Sequence, residues 1–71
     1  MKFEIRQYGR TELAQCYSPN IGKEAAWRKL RDWIDRFPGL TDSLRSLGYD
    51  GTQRCFTPRQ VHIIVEALGE P

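Results

Sequence analysis

A chain of 71 residues holds one domain at most and buries only about 60% of the surface its unfolded form exposes, so its stability margin is narrow. With 39% hydrophobic and 28% charged residues the composition is that of a folded domain, not a disordered tail, and no run reaches the ~20 apolar residues of a membrane helix. A net charge of +2, from 11 basic and 9 acidic side chains, permits an anionic partner without demanding one.

The run KFEIRQY alternates, with Phe3 and Ile5 on one face and Lys2, Glu4 and Arg6 on the other. That predicts a short, half-buried strand, too short to stand without a partner. Gly9 ends it and N-caps a first helix over residues 10–17. Glu12 falls at the third helical position, where a carboxylate suits the exposed amides and the helix dipole. Leu13, Ala14 and Tyr17 form the inward face of this helix. Pro19 stops it, because a residue before proline resists helical geometry, and Asn20 and Gly22 make the turn.

The second helix spans residues 23–37. Its apolar positions, Ala26, Trp27, Leu30, Trp33, Ile34 and Phe37, fill an arc of about 120° on a helical wheel, with Trp33 near the middle and Trp27 at the edge. Glu24, Arg28, Arg31, Asp32 and Asp35 lie opposite, with Arg28–Asp32 and Arg31–Asp35 at the i,i+4 spacing of intrahelical pairs. Pro38 and Gly39 end it. Thr41 then caps a third, short helix carrying Leu44 and Leu47, preceded by Leu40, and Gly48 supplies a left-handed C-terminal residue. Asp50-Gly51 is a tight-turn dipeptide that predicts a hairpin joining Tyr49 to a strand in TQRCF. The last helix starts with Thr57 as N-cap, Pro58 at its first position and Gln60 completing a capping box. Val61, Ile64, Val65 and Leu68 form its stripe, and Gly69 closes it.

The expected fold is therefore mainly α with a short strand and a β-hairpin, in the order of a winged helix-turn-helix in which the hairpin is the wing. Cys16 and Cys55 stand outside any CxxC pair and have only His62 to join them, so no metal site, cofactor site or disulfide framework is expected. They read as half-buried thiols of a soluble, cytoplasmic protein, since the first residues hold no apolar run for a signal peptide. His62 has no nucleophile or second acid at readable spacing, and there is no phosphate-cradling glycine loop, so no catalytic residue and no enzyme activity is expected.

The runs RQYGRTELAQCYSP, AAWRKLRDWI and LGYDGTQRCFTPRQVHIIVEALGEP resemble a family of very short proteins from Bacteroides-type bacteria classed as a domain of unknown function. FTPRQV and LGEP are its most specific marks. GRTELAQCYSP followed by LRDWI is also similar to the paired helices of MerR-like and excisionase-like DNA-binding domains, with GYDGTQRCFTPRQV in the place of the wing and the helix after it. That resemblance implies double-stranded DNA as the partner. Two departures stand out. The stretch between Tyr17 and Leu30 is longer by about one helical turn, and Asp32 replaces an aromatic.

If the second helix enters a major groove, Lys23, Glu24, Trp27 and Arg28 at its N-terminal end meet base edges, and Arg28 and Arg31 reach guanine or phosphate. Arg54 on the wing and Arg59 in the first turn of the last helix add phosphate contacts, the latter beside exposed helix-start amides. Lys2, Arg6 and Arg10 form a third basic cluster. Arg10 opposes the dipole of its own helix, which suits a partner anion. The expected function is DNA binding, as a transcriptional regulator or an excisionase-like accessory factor of a mobile element, with a homodimer or tandem sites for specificity. The alternative is a protein-interaction module on the same fold, anchored by an exposed Trp27 with Tyr8 or Tyr49 beside it.

Overall fold

The computed structural model describes residues 3–71, so Lys2 of the N-terminal cluster lies outside the described residues. Six elements follow one another: β1 (Tyr8–Gly9), α1 (Arg10–Tyr17), α2 (Lys23–Arg36), α3 (Leu40–Arg45), β2 (Cys55–Phe56) and α4 (Pro58–Leu68). The fold is mainly α with a short two-stranded antiparallel pair, β1 on β2, in which Tyr8 faces Phe56 and Gly9 faces Cys55. Leu13 and Ala14 of α1, Ala26, Trp27, Leu30 and Ile34 of α2, Leu40 and Leu44 of α3, and Val61 and Ile64 of α4 meet Tyr8, Tyr49 and Phe56 in one core.

The helix ends follow local chemistry. Gly9 N–H donates to Glu12 Oε1 at 3.1 Å, which satisfies a donor that the helix itself leaves free. Thr57 Oγ1 accepts from Gln60 N–H, and Thr57 N–H donates to Gln60 Oε1 at 3.0 Å, the reciprocal box expected there. Residues 18–22 connect α1 to α2, which begins at Lys23. At the other end α2 stops at Arg36, and Phe37 leaves the helix 40% exposed.

Three expectations are corrected. The run at residues 3–7 is not a strand, because β2 has nothing to offer it beyond Phe56. Thr57 N–H is already committed to Gln60, and Pro58 has no N–H. Side chains hold the segment instead. The Phe3 ring stacks on Tyr8 at 5.2 Å, the Arg6 guanidinium lies 3.8 Å from the same ring's centre, and Tyr8 Oη donates to the Glu4 carbonyl. Second, α3 begins at Leu40 with Gly39 as its N-cap; Thr41 lies inside the helix, where its hydroxyl reaches back to the Ile34 carbonyl at the end of α2.

Third, the strand at Cys55–Phe56 pairs across the chain with β1, not with Tyr49 through an Asp50-Gly51 hairpin. Tyr49 is spent on ending α3. Its N–H donates to the Leu44 carbonyl at 3.0 Å and Gly48 N–H to the Arg45 carbonyl at 3.0 Å, with Gly48 at φ +92°. That is a Schellman ending, which needs a left-handed residue and brings the next side chain against the helix. Tyr49 and Leu44 are accordingly both buried, and the Tyr49 ring stacks on Phe56.

The two tryptophans exchange their expected places. Trp27 is buried against Phe56, while Trp33 is half-buried with Tyr17 edge-on and Lys29 above it. A helical wheel shows a face but not what lies across from it; the β1–β2 pair covers the Trp27 side.

Tyr17 Oη donates to the Gly69 carbonyl and so ties α1 to the end of α4. Burial, with smaller contributions from Cys16 and Glu70, pushes its phenol up to about 12. A phenol raised above its unfolded value of about 10 stabilises the fold fully below pH 10 and loses that stabilisation as pH rises through 12. Thermal melts should show Tm falling above about pH 10 in the parent and falling less steeply in Tyr17→Phe. Equal slopes would mean that this hydroxyl is not coupled to folding.

Candidate nucleic-acid interface

The sequence-expected cations divide between two parts of the surface. Arg10 and Arg54 are brought together by the strand pair: Arg10 N–H donates to the Arg54 carbonyl at 2.8 Å, immediately beyond the Gly9–Cys55 register. The Arg10 guanidinium lies 5.3 Å from the centre of the Trp27 ring. Trp27 in turn packs on Phe56, with ring centres 5.9 Å apart. One helical turn further along α2, Arg31 approaches the loop, with Nη2 3.9 Å from where a side chain on Gly51 would start. Gly51 has φ +85°, so glycine is suited there by backbone conformation. Arg28 is exposed one residue after Trp27, and Lys23 and Glu24 are exposed in the first turn of α2, whose N-cap Gly22 supplies no side chain.

The loop that carries Arg54 is built from side-chain bonds. Asp50 Oδ1 accepts from Thr52 N–H, Thr52 Oγ1 and Gln53 N–H at 2.8, 2.9 and 3.1 Å. These bonds, led by the Thr52 backbone, hold the Asp50 carboxyl below its ordinary value. Gln53 Nε2 donates to the Cys55 carbonyl and to Gln60 Oε1, and Gln60, fully buried, donates to the Leu47 carbonyl at 3.0 Å. The loop backbone is thereby satisfied without a ladder, and Arg54 is held at its exit.

The charges are paired unevenly. Arg6 binds Glu12 at 3.0 Å, which with the Gly9 amide holds the Glu12 carboxyl below its usual range, and Arg36 binds Asp32 at 3.1 Å. The expected Arg28–Asp32 and Arg31–Asp35 pairs do not form, since Asp32 turns to Arg36 instead. Among the described residues no carboxylate lies within 4.0 Å of Arg10, Lys23, Arg28, Arg31 or Arg54. Arg45, which the sequence analysis did not single out, acts on the buried Tyr49 phenol alongside Arg31 and against Asp35 and Asp50. Burial remains the main reason that this phenol stands above its ordinary value. The signal that places Arg45 there is Gly48, whose Schellman turn folds Tyr49 back beside α3.

Several expected site residues stand elsewhere. Trp27 does not reach outward to bases; its ring is covered by Arg10 on one side and Phe56 on the other. Tyr8 and Tyr49 are buried with it, so the anchors of the interaction module all belong to the core. Arg59 lines a groove between α3 and α4 with Leu47, His62, Ile63 and Glu66. Cys16 and Cys55, expected half-buried, are free and exposed; on β2 the alternation sends Phe56 inward and Cys55 out. His62 pairs with Glu66 at 2.9 Å on the outside of α4. Among the described residues no three His, Cys, Asp or Glu side chains converge to hold a metal ion, and no helix is long and apolar enough to cross a membrane.

No curated protein and no solved structure matches the chain. A family model does, from residue 4 to residue 71, and thus over the strand pair, the cation-bearing loop and all four helices. The chain belongs to the family described as domain of unknown function DUF4248.

Proposed function

We propose that the chain binds double-stranded DNA, as a transcriptional regulator or an excisionase-like accessory factor. The observation that carries this reading is the set of cations without carboxylate partners around α2 and the strand pair: Arg10, Lys23, Arg28, Arg31 and Arg54. Phosphates supply what these groups lack, because a guanidinium takes two phosphate oxygens in its fork. Three acids of the same surface are already occupied, Glu12 by Arg6, Asp32 by Arg36 and Asp50 by its own loop. In this arrangement α2 presents Lys23, Glu24 and Arg28 toward a groove. Arg10 and Arg54 grip the backbone beside it, the role first expected of a wing.

Fluorescence anisotropy of a labelled random-sequence duplex tests the reading, at low and then moderate salt. Binding should weaken with salt at a log–log slope of about −0.9 per phosphate neutralised. Arg31→Ala and Arg54→Ala should each weaken binding and lower that slope by about one unit. Absence of binding at low salt would overturn the proposal, and single variants that bind like the parent would place the interface elsewhere.

A further inference from the structure

The face formed by α3 and α4 lies outside the cation set above, and it carries a groove. Two hollows of about 390 and 310 Å³ meet at Ile63 and Glu66, which line both. Together they run from Leu47 and Arg59 at one end to Phe37 and Ala67 at the other. The span from Arg59 to Ala67 is about 12 Å of helix, enough to receive one element two turns long. Phe37 stands at the rim with 40% of its surface exposed, one of three large apolar side chains left open to solvent among the described residues.

The charges on this groove select what fills it. Arg59 and Glu66 are seven residues apart on α4, nearly two turns, so they project in almost the same direction. Arg59 has no carboxylate within 4.0 Å among the described residues, and Glu66 has only His62. A second α4 laid antiparallel across the first, with a two-fold axis between His62 and Ile63, sets each Arg59 against the partner's Glu66. The symmetry forms that contact twice, as a self-complementary interface requires. A parallel α4 would oppose like charges.

We propose that the α3–α4 face is the docking surface for a second copy of this chain, with α4 antiparallel on the partner's α4 and Arg59 paired to the partner's Glu66. Ile63 then fills the middle of the contact and Phe37 closes its ends. A dimer needs about 600 Å² from each copy at the low end of stable interfaces, a modest share of a surface of 4795 Å². The association is therefore weak, and it does not rest on the DNA reading.

Sedimentation equilibrium of the full chain, from low-micromolar to millimolar concentration and without DNA, is the test. The expected result is a mass rising from one chain toward two. Arg59→Glu and Glu66→Arg should each weaken the dimer roughly tenfold, by setting like charges together twice. The double variant Arg59→Glu/Glu66→Arg should restore it, an outcome that loss of fold cannot imitate. A single-chain mass throughout would overturn the proposal. So would a dimer indifferent to the single reversals, or a double variant as weak as the singles.

Discussion

Phe56→Ala should cost about 3–5 kcal/mol, read as a lower urea midpoint at unchanged slope. The ring is fully buried, touches Trp27 and Tyr49 at 5.9 Å each, and sits opposite Tyr8 in the strand register. Its removal opens a cavity where α2, the end of α3 and the strand pair meet. A domain of this length has about 4–11 kcal/mol of stability in all, so the substitution removes a large share of it. A cost below about 1 kcal/mol would mean that the core does not converge on this residue.

The second large effect is on binding. Replacing Arg10, Arg31 and Arg54 together with alanine should flatten the log–log salt slope by about three units. It should lower duplex affinity at low salt on the order of a thousandfold, taking each charge-assisted contact at its lower measured value. Two controls separate this from loss of fold. Arg10 stacks on Trp27, and that contact is worth only ~0.5–1 kcal/mol, so a thermal melt should show a folded triple variant. Arg36→Ala removes a cation already paired to Asp32 and should leave the binding curve in place. If Arg36→Ala weakens binding as much as Arg31→Ala or Arg54→Ala alone, net charge is responsible and the particular surface is not.

The helices were legible because their signals are local. Thr57, Pro58 and Gln60 act on one another within four residues, as do Gly9 and Glu12, and the start and end of α1 fall where residues 9–19 place them. The strand partner was not legible. Asp50-Gly51 carries a genuine turn preference, but the Asp50 carboxylate diverts it by taking three donors of its own loop, and Tyr49 is claimed by the end of α3. What remains for Cys55 and Phe56 is a partner at the other end of the chain, which no local pattern announces. The candidate surface suffers from the same cause. Arg28 and Arg31 could be placed from α2 alone, whereas the adjacency of Arg10 and Arg54 exists only through that long-range pairing. The burial of Trp27 likewise depends on what the strands lay over it.

The β1–β2 pair also sets an order of events. Joining Tyr8 to Phe56 closes a loop of about two thirds of the chain for the return of two residues on each side, an entropic cost of roughly 3 kcal/mol before any contact forms. Docking of α1 on α2, neighbours in sequence, faces no such cost. The amides at the strand pair should therefore gain protection last during refolding, after those in the middle of α2. Arg10 and Arg54 ride on that seam, so whatever opens it dismantles the cationic surface while the helices remain. A bound polyanion bridging the two arginines would act in reverse, holding shut the join that forms last.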